Sequence, residues 1–378
     1  VQFCDACELL SKNWYDASII PHQRNHGFSM NEVEEYIRTA QQRGTLPGIV
    51  LASQYGYAPV EVVAWGVDGA GNALHEHSIF PVASITKLAL ALLVHRLVEL
   101  GAIALNDSLD MHIKEIHPDA ANRTIRSLLA HTSGYGFDLP NKEGRYGHGL
   151  TWTVLAQECL TTPPEVASGV RVQYSNLGYG ILGVLVERVT NRSCADALHE
   201  YVLQPLGVRA WLGAPESMNV AVIGDVRGKH KGTDLETYNS SFWRALSLPW
   251  GGLFTDALGA IHLVQAFSDQ SDFLSPVQRH EATSDHTNAL HGGFMKPLMW
   301  SVSPWGLGPE LRGHKFPHWV SSTYSPQSFG HSGASGMLVW HDPECMLSFA
   351  MLGARSADGG WLLRHAPEIS QRLRKAYM

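Results

Sequence analysis

The sequence predicts an α+β sandwich: a central antiparallel sheet flanked by helices from both chain ends, with a large, mainly helical lobe inserted. Three observations carry this reading. β-prone runs sit near both ends of the chain, periodic helical segments fill the middle, and one helix after the first strands is apolar on nearly all sides, as a buried central helix must be. The chain has 378 residues, more than one compact core usually holds, so two lobes with a cleft between them are expected.

Residues 1–30 mix Pro, His, Asn and aromatics without a period, which predicts an extension lying over the body. The spacing of Val33, Tyr36, Ile37 and Ala40 then predicts a helix to about Arg43, with Ser29 and Asn31 as candidate caps. Runs at 47–53 and 60–67 are strand-like, and Asp68-Gly69 and Gly71-Asn72 supply turn chemistry behind the second. Gly69-x-Gly71 lacks a third glycine and a following helix, so it reads as a turn and not as a dinucleotide loop. A helix over 84–100 closes at Gly101.

Helical segments follow at 125–131, 152–160, 179–189 and 195–202, separated by Pro and Gly. Strands at 335–340 and 346–352 bracket the turn residues His341-Asp342-Pro343-Glu344, and 362–377 is a closing helix. The division is therefore an extension at 1–30, an α/β lobe from 31–105 and 301–378, and a mainly helical lobe at 106–300.

Charge and cysteine usage narrow the function. Lys and Arg total 28 against 35 acidic residues, a net charge of −7 with no basic block, which disfavours a nucleic-acid partner. The most apolar stretch, 88–100, is broken by His95 and Arg96 and is too short to span a bilayer. The first residues show no basic segment followed by an apolar one, so no secretion signal is read. Five scattered cysteines, Cys4, Cys7, Cys159, Cys194 and Cys345, predict reduced thiols in the cytoplasm. Cys4-x-x-Cys7 has no second pair to complete a metal site, and His75-Glu76-His77 lacks the i, i+4 spacing of a zinc helix. No metal and no cofactor are expected.

Three short motifs carry chemistry. Ser84-Ile85-Thr86-Lys87 opens the central helix, where residues three apart share a face and the helix start favours negative charge on a nucleophile. Serine needs a base, and a lysine serves only when its surroundings lower its proton affinity; an apolar helix supplies such surroundings. Alone the pattern is weak, because composition yields roughly one S-x-x-K in a chain this long. Tyr174-Ser175-Asn176 precedes the helix at 179–189; its phenol can relay a proton and its amide can orient an amine or bind a carbonyl. His331-Ser332-Gly333, leading into Ala334, reads as a strand bordering the pocket, offering backbone N–H groups to an acyl oxygen.

Taken together and in this order, the motifs resemble those of the serine β-lactamase and penicillin-binding superfamily, especially its class C enzymes, DD-carboxypeptidases and carboxylesterases. The similarity runs from about Asn31 to Leu373. Residues 125–134, Pro205-Leu206-Gly207 and 250–253 look like further landmarks, taken as structural, with 250–252 placed where they could border the pocket. The resemblance implies a β-lactamase/transpeptidase-like fold with Ser84 as nucleophile, Lys87 as base and Tyr174 as proton carrier. It also implies that Asn176 holds Lys87 and the acyl group, that the N–H groups of Ser84 and Ala334 form the oxyanion hole, and that His331, Ser332 and Gly333 border the substrate.

One departure bears on the substrate. His331 stands where β-lactamases carry Lys, and a histidine is largely neutral at pH 7. This favours small-molecule esters or amides without an obligatory carboxylate over β-lactams. A DD-carboxypeptidase or D-aminopeptidase, a weak β-lactamase, an acyltransferase and a non-turnover penicillin-binding sensor stay open as alternatives. Gly330-His331-Ser332-Gly333-Ala334 nearly spells the nucleophile elbow of an α/β-hydrolase but fails at its fifth position.

Overall fold

The computed structural model describes residues 30–140, 146–213 and 219–378. The predicted extension, including Cys4, Cys7 and the candidate cap Ser29, lies outside the described residues, apart from Met30.

The chain first forms helix α1 (Asn31–Gln42), then the hairpin of β1 (Gly48–Tyr55) and β2 (Glu61–Gly66). Asn31 is the first helical residue of α1 and not its cap; Met30 holds that place, and Glu32 and Glu34 complement the helix dipole in the first turn. A single 3₁₀ turn (Ala83–Ile85) then runs into α2 (Thr86–Glu99). Farther along come α3 (Asn176–Thr190) and α4 (Ala257–Gln265). The late strands are β3 (Glu310–Leu311), β4 (Phe329–Gly333), β5 (Met337–Asp342) and β6 (Leu347–Gly353), and α5 (Trp361–Tyr377) closes the chain.

The six strands form one antiparallel sheet in the order β2-β1-β6-β5-β4-β3, so the sheet joins the two ends of the sequence. Its register places Leu51 opposite Met351 and Val339 opposite Ala350. Strand alternation sends Val50, Ala52, Val339, Ala350 and Leu352 to one face, where they pack with α2, α3 and α4. Ile49, Leu51, Leu338, Trp340, Phe349 and Met351 point to the other face, against α1 and α5. With both faces covered, β5 and β6 are buried along their whole length, whereas the edge strand β2 alternates between sheltered and exposed positions.

Helix α2 is buried from Thr86 to His95. Each fully buried leucine there contributes about 1.5–3 kcal/mol relative to exposure, which makes α2 the axis of the core. His95 is accommodated because its Nε2–H donates to Leu307 O at 2.9 Å and its Nδ1 faces the Gln278 side-chain amide at 2.9 Å, while burial holds its pKa below the usual value. On the other face, α5 buries Trp361, Leu362, Ala366, Ile369 and Leu373 at helical spacing.

The middle of the chain is less uniformly helical than its sequence predicts. Short strands Phe80–Pro81, Ala210–Leu212 and Leu253–Thr255 form one small sheet, and Val172–Gln173, Gly292–Gly293 and Met299–Trp300 form another. Two or three residues are too few to display a period of two. The segment predicted at 195–202 is a short α-helix, Cys194–Leu198, continued by a π turn, His199–Leu203. Helix α3 starts three residues earlier than its periodicity indicates, because Ser175 caps it by accepting from Gly178 N at 2.9 Å.

Candidate active site

Ser84 sits in the 3₁₀ turn before α2, and the preceding residue, Ala83, adopts φ 46°, a left-handed conformation uncommon for a residue with a Cβ. This turn lifts Ser84 onto the wall of a cavity of about 600 Å³ while leaving Lys87, one turn on, fully buried. Lys87 Nζ donates to Ser84 Oγ at 3.2 Å, to Asn176 Oδ1 at 2.8 Å and to the carbonyl of Trp250 at 2.8 Å. It also lies 4.8 Å from the ring centre of Tyr174 and 5.5 Å from that of Tyr179. The amine is thereby fixed in direction by Ser84 on its own turn and by side chains and backbone from two distant parts of the chain.

Asn176 is the first residue of α3, held there by the Ser175 cap. Its Oδ1 faces Lys87, and its Nδ2 donates to Asp138 Oδ2 at 3.4 Å, so the amide has a defined orientation. Tyr174 is buried, and its ring packs against His131 at 4.5 Å and Phe294 at 4.4 Å. Burial pushes its phenol well above the usual range, opposed by the adjacent Ser84 hydroxyl. The buried Tyr174 hydroxyl has no hydrogen-bond partner among the described residues. Ser84, Lys87, Tyr174 and Asn176 thus meet in one place.

The third motif is divided by its strand. Ala334, just beyond β4, lines the cavity with Ser84, whereas His331, Ser332 and Gly333 do not. His331 is fully buried behind the cavity wall, with ring centres of Tyr174 and Trp305 at 5.8 and 5.9 Å. Its Nδ1 bonds to Ser332 O at 2.6 Å, and burial together with the charge of Lys87 pushes its pKa down to about 4. The substrate contact expected of His331 is therefore replaced by a contact with the back of the site. Gly333 is required by packing: a Cβ there would lie 2.4 Å from Val82 O, so its absence lets β4 close on the turn that carries Ser84.

Several contributors were not recognised as such in the sequence. Trp250 and Gly251 line the cavity, as their expected place near the pocket implies, but the carbonyl that Trp250 supplies to Lys87 had no sequence signal. His131, in the stretch taken as structural, accepts from Ser175 N at 3.1 Å and packs its ring, tilted, against Tyr174, fixing the second motif from beneath. Burial and then Lys87 hold the His131 imidazole well below its ordinary pKa, so it stays a neutral acceptor. The segment 226–231 forms part of the same cavity wall. Ser332 lies within strand β4 and not on a strand-to-helix elbow, which removes the α/β-hydrolase alternative. His75, Glu76 and His77 lie exposed in a turn region, and among the described residues no group of His, Cys, Asp and Glu could hold a metal.

An antiparallel sheet wrapped by helices, with a hydroxyl, an amine and a phenol gathered where its late strand meets the central helix, defines an α+β hydrolase architecture. The chain belongs to the beta-lactamase family, whose model matches residues 33–364. It is 32% identical to penicillin-binding protein 4 of Amycolatopsis lactamdurans over 71% of this chain and 69% of that protein. It is 35% identical to esterase EstB of Burkholderia gladioli over 37% of this chain, a match spanning only 40% of EstB. Among solved structures, EstCE1, described as a hydrolase with promiscuous acyltransferase activity, superposes with a TM-score of 0.72 at 18% identity, covering 91% of this chain and 97% of that one. That likeness establishes the fold. No helix among the described residues is long and apolar enough to cross a membrane.

Proposed function

We propose that this protein hydrolyses carboxylic esters or amides through a covalent acyl-enzyme on Ser84. The observation that carries the reading is the fully buried Lys87 amine held at 3.2 Å from Ser84 Oγ by Asn176 and the Trp250 carbonyl. In its neutral form Lys87 keeps two N–H bonds, to Asn176 Oδ1 and the Trp250 carbonyl, and its lone pair takes the proton as Ser84 Oγ attacks the substrate carbonyl; Tyr174 passes its own proton to the leaving group, is reprotonated from Lys87, and then helps water release the acyl group. Ser84 N–H, which has no acceptor within its single helical turn, and Ala334 N–H, beyond the β4 ladder, stabilise the oxyanion.

The buried, neutral His331 supports esters and amides over β-lactams, since no cation of the third motif is available to bind a carboxylate beside the scissile bond. Ser84 and Ala334 come from the α/β portion of the chain and Asn176 from the middle portion, which supports a cleft between two lobes. Among the described residues Cys159, Cys194 and Cys345 are buried free thiols.

The test is a p-nitrophenyl ester assay paired with fluorophosphonate labelling. Ser84→Ala should lose both turnover and label, and Lys87→Ala should lose at least about two orders of magnitude in rate. Labelling that persists in Ser84→Ala, or near-normal rates in Lys87→Ala, would overturn the assignment. Release of p-nitrophenol beyond one equivalent separates an enzyme from a protein that is only acylated.

A further inference from the structure

The cavity that holds Ser84 has a second chemical character, set by a loop far from the three motifs. Arg227, Lys229, His230 and Lys231 all line it, whereas Asp138 is the one carboxylate among its described lining residues. This accumulation of positive charge occurs in a chain whose net charge is −7. The acidic residues of the same loop are engaged elsewhere. Asp234 pairs with His148 at 3.0 Å, and Glu236 accepts from Gly232 N and Asn239 Nδ2, both at 2.9 Å. Asp225 is held by Arg355 at 3.0 Å and lies 3.8 Å from Arg227.

Lys229 and Lys231, by contrast, have no ion-pair partner among the described residues. His230 adds a separate sign of an unfilled recognition surface. Its ring stacks on Tyr146 at 5.4 Å, and its buried Nε2 has no hydrogen-bond partner among the described residues. A buried polar atom without a partner is costly unless a ligand or water satisfies it. Ammonium groups, a guanidinium and an imidazole facing one cavity match a carboxylate.

We propose that the 227–231 segment is an anion-recognising wall of the Ser84 cavity, and that the preferred substrates are esters or amides carrying a carboxylate remote from the scissile carbonyl. The inference rests on the acyl-enzyme reading above and names the substrate class of that site. It agrees with the neutral His331: the negative charge is bound at the rim by the 227–231 segment and not beside the reacting carbonyl by the third motif. The exposed position of Lys229 and Lys231 also implies that the preference acts partly by steering and is screened by salt.

The experiment compares matched esters that differ by one charge. On the acyl side, p-nitrophenyl hexanoate is set against the mono-p-nitrophenyl ester of adipic acid, in which the terminal methyl becomes a carboxylate. On the leaving-group side, para-carboxyphenyl acetate is set against its methyl ester. In at least one arm, kcat/KM at low salt should favour the anionic ester by about ten-fold, and the ratio should shrink as ionic strength rises toward about 1 M. Lys229→Gln combined with Lys231→Gln should bring the ratio toward one, and Lys229→Glu with Lys231→Glu should invert it. Ser84-dependent hydrolysis with the same ratio in wild type and both double variants, in both arms, would overturn the wall while leaving the hydrolase reading intact. Absence of Ser84-dependent hydrolysis of all four esters would overturn both.

Discussion

Lys87 Nζ and Asn176 Oδ1 lie 2.8 Å apart although 89 positions separate them in the chain. This contact ties the amine on α2 to the start of α3. Because the Asn176 amide is also oriented by Asp138, the direction of the Lys87 amine depends on a side chain from a different part of the fold.

Asn176→Ala should therefore leave Lys87 in place but less well aimed, lowering kcat by about ten-fold or more, as small misplacements of a reacting group do. Steady-state kinetics on a p-nitrophenyl ester would measure it. An unchanged kcat would show that Ser84 and the Trp250 carbonyl suffice to position the amine.

Tyr174→Phe separates the phenol's chemistry from its packing. The tilted ring packing against His131 and Phe294 is retained, and the hydroxyl that is lost has no hydrogen-bond partner among the described residues. Activity should fall by about 10²-fold or more, as loss of a proton-transfer group does, with little change in melting temperature. A large fall in melting temperature with normal kcat would reverse the assignment and make Tyr174 structural.

Behind the site, Lys315 and Glu310 form an ion pair of 2.8 Å with both side chains fully buried, and Lys315 lies over the rings of Trp300 and Trp305. Burial disfavours charge on both, but Lys315 and His318 bring Glu310 down to about 2. Lys315→Met strands that carboxylate and should cost about 3–5 kcal/mol of stability. Urea unfolding would measure it, and replacing Glu310 by Gln in the same chain should recover part of the loss. A stability change under about 1 kcal/mol would show that the pair contributes little.

Stability should also fall with acidification. Burial holds His331 and His341 at about 4, whereas an unfolded imidazole binds a proton near about 6.5. Between these values the unfolded state carries the extra protons, so unfolding is favoured as pH falls through this window, by up to about 3 kcal/mol for each histidine. Glu310 acts in the same direction lower down, since the unfolded carboxyl protonates first. Thermal scans should show the melting temperature falling from pH 6.5 to 4, with a shallower slope in His341→Gln. A flat profile over that range would contradict the burial of these rings.

Part of this protein was determined by the sequence alone. The unbroken apolar character of 88–94 required α2 to be central, β-prone runs near both ends required a sheet joining them, and S-x-x-K and Y-x-N marked Ser84, Lys87, Tyr174 and Asn176 because their side chains carry distinctive chemistry. The remainder was decided by contacts between distant segments. The Trp250 carbonyl that holds Lys87 is 163 positions away and has no side-chain signature, since every residue has a carbonyl. His331 looked like a substrate ligand until the strand turned it inward, and Gly333 is needed only because Val82 O lies where a Cβ would be. The short cationic run at 227–231 was present in the sequence, but only the folded chain sets it on the wall of the Ser84 cavity. Local pattern fixes which face of an element is buried; which groups meet across a cavity depends on how the elements pack, and a single sequence does not encode that locally.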